Sequence, residues 1–119
     1  MSYDIYLHDP VSKQPIEFDF QHDFQGGTYR LGGCREAWLN VTYNYSAHYR
    51  RAFNNDKGIR TIYGMSGAES IPVLEAAASQ LGDEISQDYW EATEGNAKRP
   101  LLQLAAMARV RPDGIWDGD

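Results

Sequence analysis

The sequence predicts an α+β domain, an N-terminal antiparallel sheet of three to four short strands packed against about three helices. Two observations carry that prediction. Up to about Tyr43 the apolar residues recur with period two, and from Ser46 onward the spacing becomes helical. Strands first and helices afterwards is the α+β order, with helices on one face of the sheet. A third observation, 119 residues without repeat, linker or low-complexity segment, makes residues 1–119 a single compact domain.

The elements follow in order. Tyr3, Ile5 and Leu7 alternate with Asp4, Tyr6 and His8, and Ile16, Phe18 and Phe20 alternate with Glu17, Asp19 and Gln21. Between them, Asp9-Pro10 through Gln14-Pro15 supplies turn chemistry, which predicts a β-hairpin. Gly26-Gly27 breaks the chain before a short strand over Thr28–Leu31. Gly32-Gly33 turns it again, and a strand runs from Glu36 to Tyr43. Ala47 to Phe53 reads as a short helix capped by Asn44 or Ser46. Gly58 to Met65 fits either a helical turn or an extended piece.

Ser66-Gly67-Ala68-Glu69 matches a capping box, but Pro72 favours a start at Ser70 for the next helix, which Gly82 closes. A last helix spans about Ala97 to Val110. It is apolar over much of its circumference, which implies deep burial or a second contact surface, and Pro100 blurs its start. Trp116, in the acidic stretch Asp113 to Asp119, needs a surface to dock on, either its own domain or a second subunit.

Composition narrows function. The net charge of −6 argues against binding long nucleic acid. A single cysteine, Cys34, excludes an intrachain disulfide framework and a Cys-based zinc site. No apolar run approaches a membrane span, and no signal peptide is visible, so the expected location is the cytoplasm; the two Asn-x-Ser/Thr patterns at Asn40 and Asn44 then carry no meaning. His8, His22 and His48 lack the spacing of a helical metal site, and no nucleophile motif accompanies them. Neither a metal nor a cofactor is expected, and the chain is expected not to be an enzyme.

The residues that point to recognition are aromatic and cationic: Tyr43, Tyr45, Tyr49, Arg50, Arg51, Arg60 and Tyr63. Arginine forks clamp phosphates or carboxylates, and tyrosine rings stack on bases or on the guanidinium plane. The ligand-binding set expected from this is Thr28, Tyr29, Asn44, Tyr45, His48, Arg51, Arg60 and Tyr63, with Arg51, Arg60 and Tyr45 around a common cavity. Its ligand would be a small anionic or nucleotide-like molecule. The plain alternative is that the tyrosines pack between sheet and helix while the arginines pair with surplus carboxylates. A second expectation is an acidic protein–protein inhibitor using Glu84, Asp88 and Glu91. A third is a small hydrolase using His48 or His22.

Asp4-Ile5-Tyr6-Leu7, Gly26-Gly27-Thr28-Tyr29, Leu39 through Tyr45, Thr93-Glu94-Gly95-Asn96-Ala97 and Arg111 through Trp116 together resemble a family of small uncharacterised proteins of bacteriophages and prophages. The resemblance implies an accessory protein of the host bacterial cytoplasm, of the kind that evades host defence by sequestering a nucleotide signal or binding a host protein. It implies no catalytic residue. A homodimer is compatible with it.

Overall fold

The computed structural model describes residues 1–22 and 34–119, with the side chain of Cys34 outside that description. The expected Gly26-Gly27 and Gly32-Gly33 turns, the Thr28–Leu31 strand, and the candidate residues Thr28 and Tyr29 lie outside the described residues.

The α+β expectation holds. Strand β1 (Ser2–His8) is the centre of a three-stranded antiparallel sheet. Strands β2 (Glu17–His22) and β3 (Cys34–Glu36) form a separate two-stranded ribbon. Strand β4 (Trp38–Thr42) pairs with one edge of β1, in the register Tyr3↔Val41 and Ile5↔Leu39. Directly opposed residues share a face, so Tyr3, Ile5, Leu7, Leu39 and Val41 make one buried apolar surface.

Two features of the sheet differ from the sequence expectation. The hairpin between β1 and β2 is confined to its closing end, with Asp9 N–H on Gln14 O, Ile16 N–H on Leu7 O, and a bridge between His8 and Pro15. Pro15 has no N–H to extend the ladder, and both edges of β1 are already occupied. The second edge is taken by β5 (Ile115–Gly118), a C-terminal strand with no counterpart in the expected layout. Leu7↔Trp116 register puts the indole on the inner face, where Nε1–H donates to Ser70 Oγ at 2.7 Å. Trp116 therefore docks on its own domain.

The helices cover that inner face. Tyr43–Tyr45 is a 3-10 turn entered through Thr42, whose Oγ1 accepts from Asn44 N–H, and it leads into α1 (Ser46–Phe53). Neither Asn44 nor Ser46 caps α1 with its side chain, because the preceding 3-10 turn already occupies that position. Gly58–Ile62 is a second 3-10 turn.

Helix α2 (Gly67–Ser79) begins at Ser66, not Ser70: Ser66 Oγ accepts from Glu69 N–H and Glu69 Oε1 accepts from Ser66 N–H. Pro72 sits inside the helix and removes one bond, to the carbonyl of Ala68. Ala68 is exposed, so water can satisfy that oxygen. Helix α3 (Glu94–Val110) likewise starts earlier than expected, capped by Thr93 Oγ1 on Asn96 N–H, with Pro100 buried in its interior. It packs along α2 and buries Leu101, Leu104, Met107 and Ala108, leaving Leu102 and Val110 exposed.

Candidate functional site

Asn44, Tyr45, His48 and Arg51 follow one another at about helical spacing, and so all address one side of the 3-10 turn and α1. What they address is the chain itself. Asn44 Nδ2 donates to Trp90 O at 2.9 Å, Tyr45 Oη to Tyr89 O, His48 Nε2 to Ala92 O at 2.7 Å, and Arg51 Nη2 to Glu94 Oε1 at 2.7 Å. In return Tyr89 Oη accepts from Thr42 N–H at 2.9 Å. The Nε2–H tautomer of His48 serves both its bonds, since Nδ1 then accepts from Arg51 Nη2 at 3.4 Å. Four candidate ligand-binding residues thus form a clasp on residues 89–94, three on main-chain carbonyls and Arg51 on the Glu94 carboxylate.

The clasped segment is held equally firmly from α3. Asn96, nearly fully buried, donates from Nδ2 to Asp88 O at 3.1 Å and Glu91 O at 3.0 Å, and accepts from Ser86 N–H at 3.1 Å. Gly95 N–H donates to Glu84 O at 2.7 Å, and any Cβ at position 95 would collide with that carbonyl, so glycine is required for the approach. Ala97 O accepts from the buried Tyr49 Oη at 2.8 Å. Every residue of Thr93-Glu94-Gly95-Asn96-Ala97 has a structural task, and Asn96 and Thr93 are the site residues that sequence reasoning missed. The Thr93-x-x-Asn96 cap spacing ahead of an apolar run was the available signal.

Burial sets the electrostatics. Desolvation raises the phenols of Tyr45 and Tyr49 well above their ordinary value, and raises Tyr89 to about 12 against the opposing Thr42 N–H bond. The Glu94 carboxyl is held below the usual carboxylate range, first by the Arg51 bond and then by Gly82 N–H.

Arg60 and Tyr63 lie apart from the clasp. The Arg60 guanidinium stands 4.8 Å from the Tyr3 ring centroid and 5.6 Å from that of Tyr43, donating to Asp119 O at 2.7 Å and Tyr43 Oη at 3.1 Å. Tyr63 Oη donates to the same Asp119 oxygen at 3.3 Å. Tyr45 is wholly buried and engaged, and the groove that Arg51 borders is lined by neither Tyr45 nor Arg60. Among the described residues, Arg51 therefore shares that groove with neither Tyr45 nor Arg60. The tyrosines pack between sheet and helix, as the plainer alternative has it.

No family model, curated protein or solved structure matches the chain. Among the described residues, no three His, Cys, Asp or Glu side chains gather to hold a metal, and no helix is long and apolar enough to cross a membrane.

What the clasp presents outward is a surface. Residues 82–96 contain five carboxylates and no lysine or arginine. Asp83 pairs with Lys98 and Glu94 with Arg51, which leaves Glu84, Asp88 and Glu91 exposed and without an ion pair among the described residues. Trp90, 48% exposed, and Ile85 stand among them.

Proposed function

We propose that this chain is a non-enzymatic accessory protein of phage type, acting in the bacterial cytoplasm, that docks a host protein through the segment between α2 and α3. The partner's surface is basic and carries an apolar recess, the description of a nucleic-acid-handling or defence protein's binding groove. The observation that carries this reading is the clasp. Asn44, Tyr45, His48, Arg51 and Asn96 fix a segment without regular secondary structure so that its exposed groups are Trp90, Ile85, Glu84, Asp88 and Glu91.

A pre-fixed segment loses little conformational entropy on binding. An exposed tryptophan is the residue type that most often anchors an interface, and unpaired carboxylates around it steer a basic partner and reject an acidic one. The phage setting rests on the sequence resemblance alone.

The test is affinity capture from nuclease-treated bacterial lysate at two salt concentrations, with wild type beside two variants. One variant is Glu84→Gln/Asp88→Asn/Glu91→Gln and the other Trp90→Ala. The reading requires a protein retained by wild type at low salt, released at high salt, and lost from both variants. Identical retention by wild type and the triple variant would sink it.

A further inference from the structure

The face of α1 away from the clasp meets α2 across a groove of about 650 Å³, within the size range of small-molecule sites. Its apolar wall includes Phe53, Pro72, Val73 and Ala76, and its polar groups are Arg51, Asn54, Gln80 and Thr61, whose hydroxyl is already bonded to Asn55 and Gly58 O. No carboxylate lines it, in a protein of net charge −6. Two of these polar groups, the exposed amides, are open to a ligand. Among the described residues neither the Asn54 nor the Gln80 amide makes a hydrogen bond, and Arg51 uses only Nη2, leaving its other nitrogens open.

We infer that this groove binds a mononucleotide-class ligand, a planar base carrying a phosphate. Each part of that chemistry has a matching group. Phe53, half-buried, offers a ring for stacking, and the exposed Pro72 of α2 lines the same groove. Side-chain amides such as Asn54 and Gln80 pair with the donor and acceptor edges of bases. A guanidinium is the preferred clamp for phosphate. The competitor for Arg51 is Glu94, an exposed partner, and exposed ion pairs are weak enough to be exchanged for a phosphate. Asn54 holds φ = 57°, a left-handed position that asparagine and glycine accept, so Asn54→Gly removes the amide without straining the turn.

Calorimetric titration with 5′-AMP, 5′-GMP, 5′-CMP and 5′-UMP tests the inference, with adenosine and inorganic phosphate as separate arms. At least one mononucleotide binds, and adenosine and phosphate alone each bind at least about tenfold more weakly. Asn54→Gly/Gln80→Ala weakens binding several-fold, and Ala76→Trp, at an exposed helix position, abolishes it with an unchanged circular dichroism spectrum.

Glu94→Gln removes the carboxylate competing for Arg51 while still accepting from Gly82 N–H, so it tightens binding several-fold. No heat with any of the four mononucleotides overturns the inference. So does binding indifferent to Ala76→Trp in a folded variant, or inorganic phosphate binding as tightly as the nucleotides. None of these outcomes bears on docking through Trp90, which the capture experiment reads separately.

Discussion

The two sides of α1 are built from similar residue types and behave differently. On one side Asn44, Tyr45, His48 and Arg51 are engaged by main-chain and carboxylate oxygens of residues 89–94. On the other, the Asn54 and Gln80 amides make no hydrogen bond among the described residues, and Arg51 borders the groove with nitrogens that neither His48 nor Glu94 uses. An amide, a ring and a guanidinium in register therefore mark recognition in general, and the chain's own backbone satisfies them as well as a ligand does. What separates the two is whether each donor already has its acceptor. The engaged side should govern stability, and the open side should be removable without loss of fold.

The sharpest way to break that comparison is Asn96→Ala. It strips hydrogen bonds from Asp88 O, Glu91 O and Ser86 N–H in a buried setting. A loss of about 2–4 kcal/mol in urea denaturation is expected, because unsatisfied buried polar groups bear their full desolvation penalty. A loss within error would mean the segment is not held as described. Alkaline titration comes next. Tyr45, Tyr49 and Tyr89 have folded pKa values above the ordinary value near 10. Their neutral forms thus contribute stability that is complete below pH 10 and declines as pH rises toward and past about 12. Tyrosinate absorbance should rise together with loss of helical dichroism, and ionisation of all eight tyrosines in a still-folded protein would contradict it.

How far the sequence alone reached is explained by the same distinction between local and distant partners. Period-two alternation placed β1 and β4 correctly, because the sheet buries one face and the pattern is local. Both helices start earlier than the sequence suggests, for one reason. Pro72 and Pro100 each read as a boundary, yet each sits inside a helix whose real cap, Ser66 or Thr93, lies a turn or more upstream. A single missing N–H costs less than a satisfied cap contributes when the orphaned carbonyl has another partner or water.

β5 was hidden because four residues ending in Asp-Gly-Asp look like a tail until Leu7 and Ser70 are known to await Trp116. The Tyr/Arg cluster is legible as residues but not as a clasp, since the acceptors for Tyr45 and His48 lie 44 positions away. The groove had no sequence signal at all. Its walls come from the end of α1 and the middle of α2, and its residues are ordinary singly.

A smaller effect sharpens the contrast. Tyr45→Phe keeps the ring packed against Tyr49 and Tyr89 and deletes only the bond to Tyr89 O. It should cost about 1 kcal/mol, whereas Gln80→Ala, which breaks nothing, should leave the urea midpoint where it is.

Arg51→Ala should also change neutral stability very little, and it is the most informative variant because Arg51 borders both regions. Its bond to Glu94 is an exposed ion pair, of a kind that contributes little. The Glu94 carboxyl is held below its ordinary range by that bond first. A lowered folded pKa contributes stability above the unfolded value, and that contribution disappears as pH falls through the folded one. Arg51→Ala should therefore leave neutral stability nearly unchanged and flatten the acid limb of the stability curve. Glu94→Gln should flatten it further, since it deletes the ionisation itself, whereas Arg51→Ala leaves Glu94 ionisable with the Gly82 N–H bond still lowering it. If Arg51→Ala instead destabilised the protein at neutral pH as much as Asn96→Ala, the arginine would be a structural part of the clasp and unavailable to the groove. A flat neutral response leaves it free to exchange one oxygen anion for another.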